Sequence, residues 1–145
     1  MGEIYVVMGN PQAALKNFEA DLSIAQRLAG SDPGNAEWQR DLAISYDRLG
    51  TFNYEAEDFA PARKYWEKEI ALAEKMMKAL PANADWPRLA AVTRLKLFRL
   101  DEDDSNEQVI KAHALLKELS ESGRLSTRDL PLFEMLDEVI NSVTE

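Results

Sequence analysis

A single histidine, no cysteine and many scattered carboxylates bound the chemistry open to this 145-residue chain. His113 could serve as a general base only with a nucleophile or carboxylate beside it, and spacing ties none to it. Its place next to Val109 and Leu116 marks it as a half-buried or surface ring on a helix. Without cysteine there is no thiolate zinc site, disulfide or cysteine nucleophile. With one histidine there is no paired-histidine metal site, and a Ser/His/Asp triad would have to use that ring. The run Asp101-Glu102-Asp103-Asp104 offers cation ligands, but a calcium loop counted from Asp101 needs Gly where Asn106 stands and Glu where Ala112 stands. Ahead of an Asn106 cap, these acids read as favourable charges at a helix N-terminus. Trp38, Trp66 and Trp86 recur on apolar faces as packing residues. Gly9 and Gly50 are isolated, so no phosphate-cradling loop exists. The chain is expected to be no enzyme, with no catalytic, cofactor or metal residue.

One stretch departs from the overall charge. The chain has 26 acids and 17 bases, a net −9, which disfavours nucleic acid and anionic membranes as partners. Between Trp86 and Leu100, however, the charged residues are Arg88, Arg94, Lys96 and Arg99, with no acid among them. On a helix whose core residues are Trp86, Ala90, Thr93 and Leu97, the opposite side carries Arg88, Val92, Leu95 and Arg99. Forty-eight residues earlier the same side is Arg40, Ile44, Asp47 and Thr51. Exposed aliphatic residues beside arginines are unusual for a merely solvated face.

The elements that carry these residues repeat. Pro33-Gly-Asn35-Ala36-Glu-Trp38 recurs as Pro81-Ala-Asn83-Ala84-Asp-Trp86, 48 residues on. The same offset relates Asn10, Asp58 and Asn106, each a good N-cap ahead of an apolar run. Each unit reads as two helices. The first buries Trp38, Leu42, Tyr46 and Leu49; the second buries Leu15, Phe18, Leu22 and Ala25, then Ala62, Trp66, Ile70, Ala73 and Met77, then Val109, Ala112, Leu116 and Leu119. Pro11, Pro61 and Pro87 fall in first turns, where a missing N–H costs little. The pattern predicts helices near 2–8, 11–30, 36–55, 59–80, 84–101, 106–121 and 128–143. Leu130, Phe133, Leu136, Ile140 and Val143 make the last a capping helix, with Gly123 as the preceding stop and Ser126 or Thr127 as its start.

At these residues the chain resembles the tetratricopeptide repeat family, in a long-helix, bacterial-type variety with a 48-residue period. The family pattern is legible as Tyr46-x-x-Leu49-Gly50, then Ala62-x-x-x-Trp66, then Pro81. The first copy has Met1-Gly2-x-x-Tyr5, Ala14-x-x-x-Phe18 and Pro33. The third is eroded, with Arg94, Leu97, Phe98, Asp101, Ile110 and Ala114 at the corresponding positions. The resemblance implies an all-α solenoid of helical hairpins, about seven helices in one domain: a truncated first repeat (1–33), a second repeat (34–81), a degenerate third (82–121) and a cap (122–145). It also implies that the first helix of each hairpin lines a concave peptide groove. The candidate groove residues are Arg40, Ile44, Asp47, Arg48, Thr51, Arg88, Val92, Leu95, Lys96 and Arg99.

The leading expectation is a non-catalytic, cytoplasmic protein-interaction module or scaffold that holds an acidic and apolar segment of a partner there. The alternative is a self-associating structural segment, or the end of a longer repeat array in a signalling or scaffold protein. Because the chain enters its first repeat at Met1-Gly2, something else is expected to cover Ala14, Phe18 and Leu22. Ile4, Tyr5, Val6, Val7 and Met8 are the candidates for a two-fold homodimer contact, unless an upstream domain supplies the missing helix. Neither a signal peptide nor a membrane-spanning segment is recognisable.

Overall fold

A computed structural model describes residues 10–100 and 106–144. Among them it contains six helices and no strand: α1 Pro11–Ser31, α2 Ala36–Glu55, α3 Phe59–Ala79, α4 Asp85–Phe98, α5 Glu107–Glu121 and α6 Leu130–Thr144. The helix expected at 2–8, the self-association candidates Ile4 to Met8, and the acidic run 101–104 lie outside the described residues. The chain divides between Glu69 and Ile70, within α3, into two compact units. In each, adjacent helices pack on one another, α1 with α2, and α4 with α5 followed by α5 with α6. This pairing is consistent with a helical repeat.

In the first unit the caps form as the residue types require. The Asn10 and Asn35 side chains accept from the Ala13 and Trp38 amides at 3.1 Å each, and Pro11 occupies the first turn, satisfying N–H groups with no helical partner. Ala14, Phe18, Leu22, Ala25 and Ala29 form the buried stripe of α1. Phe18 meets Phe52 of α2 edge-on at 5.9 Å. Ala14, Phe18 and Leu22 of that face are thus buried within the chain. At the α2 to α3 corner, Gly50 lies so close to the Trp66 indole that a methyl group there would overlap the ring. Tyr54 packs between Phe59 and Trp66, 5.6 Å from each. The turn passes through Glu57 at φ 60°, the left-handed region that favours glycine.

In the second unit α4 is shorter than the spacing predicts. It closes with a tight turn in which the Arg99 and Leu100 amides donate to Lys96 and Leu97 carbonyls. The start of α6 also differs. Its first helical bond runs from Phe133 to the Asp129 carbonyl, while Ser126 directs its hydroxyl at the Asp129 carboxylate, 3.0 Å away. Ser126 thus supports the residue that opens the helix. Gly123, at φ 71°, ends α5 as expected, with the Arg124 amide donating to the Leu119 carbonyl at 2.8 Å.

The 48-residue offset fails in α5. It would place Ile110 and Ala114 where α3 buries Ala62 and Trp66, yet both are exposed, Ile110 by 52%. Val109, Ala112, His113, Leu116 and Leu119 are buried instead. An offset of 47 brings Val109 to the place of Ala62 and His113 to that of Trp66. One residue fewer ahead of α5 turns the helix by about 100°, and the apolar stripe selects the register that buries it. The tryptophans diverge too: Trp66 and Trp86 are buried, at 2% and 5% exposure, whereas Trp38 and Tyr46 are only half-buried. Beside Trp38, Gln39 enters the interior and donates to the Ala29 and Pro33 carbonyls at 3.0 and 3.4 Å.

Candidate functional site

The predicted binding face falls on two helices, one in each unit. On α2, Arg40, Ile44 and Arg48 stand one turn apart and are exposed, Ile44 by 37%; Asp47 and Thr51 on their flank are half-buried. Glu37 and Asp41 share the exposed side, so this half is of mixed charge. On α4 the equivalent residues are Arg88, Val92 and Lys96, all half-buried, with Arg99 exposed beyond them. Both helices therefore carry base, aliphatic, base at successive turns, exposed on α2 and half-buried on α4.

Two residues of the α4 half are committed to internal contacts. Leu95 packs against the cluster of Ala91, Val109, Leu116 and Leu136, so it belongs to the core margin and not to an open surface. The Arg88 Nε donates to the Asp129 carboxylate at 2.6 Å. Asp129 is 6% exposed. Burial alone would raise its carboxyl, but hydrogen bonds from Arg88 and Ser126, with the charges of Arg88 and Arg128, outweigh burial and hold it below the usual carboxylate range. Arg88, expected as an exposed binder, thus anchors the start of α6. Arg94 is likewise structural: its guanidinium joins Glu74 of α3 at 3.1 Å and Gln108 of α5 at 3.0 Å. Neither partner was legible in the sequence, because both contacts bridge residues that no helical period relates.

His113 is buried in α5, stacked on Phe133 at 5.6 Å and 15°. Its Nε2 donates to Asp137 Oδ1 at 2.9 Å. A carboxylate acceptor requires the proton on Nε2. Spacing within α5 could not reveal Asp137, which arrives on α6. The histidine to carboxylate geometry is one that orients a catalytic ring, but here the ring fills the place that Trp66 fills in α3, and its plane is covered by Phe133. No group of three or more potential metal ligands converges among the described residues. No described helix is long and apolar enough to cross a membrane.

Comparisons with protein-family models, with curated proteins and with solved structures find no match to this chain. The functional reading therefore rests on the residues themselves. A cavity of about 100 Å³ beneath the α3 to α4 turn, lined by Met77, Pro87, Leu115 and Leu119 with Asn83, Glu118 and Arg124 at its edge, is of the order of a few water molecules and too small for an ordinary small-molecule site.

Proposed function

We propose that the chain is a non-catalytic protein-docking module that holds a segment of a partner on the outward sides of its repeat helices, in the manner of a tetratricopeptide-like array. The observation that carries this reading is the recurrence of an aliphatic residue one turn ahead of a base, Ile44 and Arg48 on α2 and Val92 and Lys96 on α4, 48 residues apart, exposed on α2 and half-buried on α4. Core packing does not require an aliphatic residue at Ile44, which is 37% exposed. An aliphatic anchor flanked by arginine or lysine suits peptide recognition, where apolar burial supplies affinity and charge supplies register. A short segment held this way binds at about micromolar strength, since its ordering opposes association.

Selection of displayed peptides on the immobilised full chain tests the reading. Selected peptides are expected to lose at least tenfold in affinity to an Ile44→Asp variant or a Val92→Asp variant of unchanged melting temperature. Peptides that bind both variants as they bind the natural chain would remove these helix faces as the site. Arg88→Glu is unsuitable as a surface control, because it breaks the Asp129 contact.

A further inference from the structure

Both copies of the Pro-x-Asn-Ala-x-Trp turn leave one helix carbonyl without a backbone donor. A helical carbonyl accepts from the amide four residues on, and for Ala29 and Met77 that residue is Pro33 or Pro81, which has no N–H. The two turns are otherwise bonded alike. The Asp32 and Leu80 amides donate to the Leu28 and Met76 carbonyls, at 3.3 and 2.8 Å, and the Asn35 and Asn83 amides donate to those of Asp32 and Leu80, at 3.0 Å each. In the first unit the buried Gln39 side chain supplies the missing donor, its Nε2 reaching the Ala29 carbonyl at 3.0 Å and that of Pro33 at 3.4 Å. In the second unit Pro87 stands at the position of Gln39. Arg124 serves the Pro81 carbonyl at 3.0 Å, but no described residue donates to the Met77 carbonyl. The cavity of about 100 Å³ walled by Met77, Pro87, Leu115 and Leu119 lies at this place.

We propose that this cavity is a binding site for a single primary carboxamide, which takes in the second unit the part that the Gln39 side chain plays in the first. The polar groups around the cavity select that chemistry. The Met77 carbonyl calls for an N–H donor, so a carboxylate, which only accepts, is excluded. At the edge, Asn83 Oδ1 is engaged by the Asp85 amide at 2.8 Å, which leaves its Nδ2 to donate. Arg124 spends Nε on Ser122 at 2.9 Å and one terminal nitrogen on Pro81, and its other terminal nitrogen is a second donor. These call for an acceptor, so an ammonium or guanidinium group, which only donates, is excluded as well. A carboxamide carries both functions. It is also neutral, as suits an edge where the Glu118 carboxylate and the Arg124 guanidinium stand together. The walls of Met77, Pro87, Leu115 and Leu119 contact a methylene stem, and the volume admits one side chain. None of these residues belongs to the candidate faces of α2 and α4.

Titration of the isotopically labelled full chain with propionamide, propionate and propylamine, each to about 100 mM as so small a ligand requires, tests this by nuclear magnetic resonance. Propionamide is expected to move the amide resonances of Asn83, Leu115, Leu119 and Arg124, and to shift the Met77 carbonyl carbon, read through the Lys78 amide, downfield as a hydrogen bond forms. It should bind at least tenfold more tightly than the two charged probes, with an affinity that salt leaves unchanged. Pro87→Gln should itself shift the Met77 carbonyl carbon downfield, by supplying the donor that Gln39 supplies to Ala29, and should weaken propionamide binding tenfold or more. A peptide with one glutamine that moves the same resonances, where its glutamate counterpart does not, would assign the carboxamide to a side chain of a partner. Response to propionamide without response to that peptide would assign it to a free small amide. Equal response to propionate or propylamine, no response of the natural chain to propionamide, or unchanged binding by a Pro87→Gln variant of undiminished melting temperature would each overturn the proposal.

Discussion

The two interhelix turns that share a sequence pattern satisfy the same need with different donors. In the first unit the Pro33 carbonyl accepts from Gln39, six residues on, which also satisfies Ala29. In the second the equivalent carbonyl, Pro81, accepts from Arg124 at 3.0 Å, 43 residues away. Pro87 stands where Gln39 stands in the first unit and has no donor to offer, and the small cavity opens beside it. The first turn is thus closed by its own helix, whereas the second depends on the segment between α5 and α6. The Arg88 to Asp129 contact repeats that dependence at the start of α4. Equivalent backbone can therefore rest on unlike supports, and the supports decide which surface residues remain open to a partner.

The tryptophans test this difference most severely. Trp86→Ala is expected to cost about 3 to 5 kcal/mol, the range for emptying a buried aromatic site. Half-buried Trp38→Ala should cost roughly half as much, in keeping with the smaller area it removes from water. Chemical denaturation of both variants would show the order, and a larger loss at Trp38 would reverse the comparison. Gly50→Ala should come next, at about 1 to 3 kcal/mol from overpacking against Trp66. At Phe98, which the 48-residue offset equates with Gly50, no such close approach exists to break.

Asp129→Asn should destabilise the second unit by about 1 to 3 kcal/mol, through a weakened charge-assisted bond at a buried acceptor. It should also change the acid response. Because the folded-state carboxyl lies below its ordinary value, its contribution is complete above the unfolded carboxyl's range, near pH 4, and disappears as pH falls through the folded value. Melting temperatures of the natural chain and variant should therefore converge on acidification below about pH 4. A constant gap would contradict the assigned ion pair. The smallest expected effect is a gain: Glu57→Gly should stabilise the first unit by about 0.5 to 1 kcal/mol, by relieving a left-handed residue.

Periodicity carried much of the fold. The Asn10 and Asn35 caps, the Pro11 start and the apolar stripes define α1 and α2 almost to the residue, since each helix buries one face and begins with its own side-chain acceptor. The repeat offset was a poorer guide in α5, where the burial of Val109 and His113 outweighed alignment with Ile110 and Ala114. At the candidate site, Ile44 and Arg99 are exposed as their helical positions imply, but Arg88 and Leu95 are not free. Their partners, Asp129 and the α5 to α6 core, are separated from them by connections whose geometry no local spacing encodes. Asp137 beside His113 was hidden for the same reason.

Docking on the outward helix faces is best tested by hydrogen–deuterium exchange of the full chain with and without a display-selected peptide. The account predicts slower exchange in α2 around Ile44, in α4 around Val92, or in both, with little change in the outer parts of α1 and α5. Protection confined to the exposed sides of α1 or α5, with α2 and α4 unchanged, would contradict it.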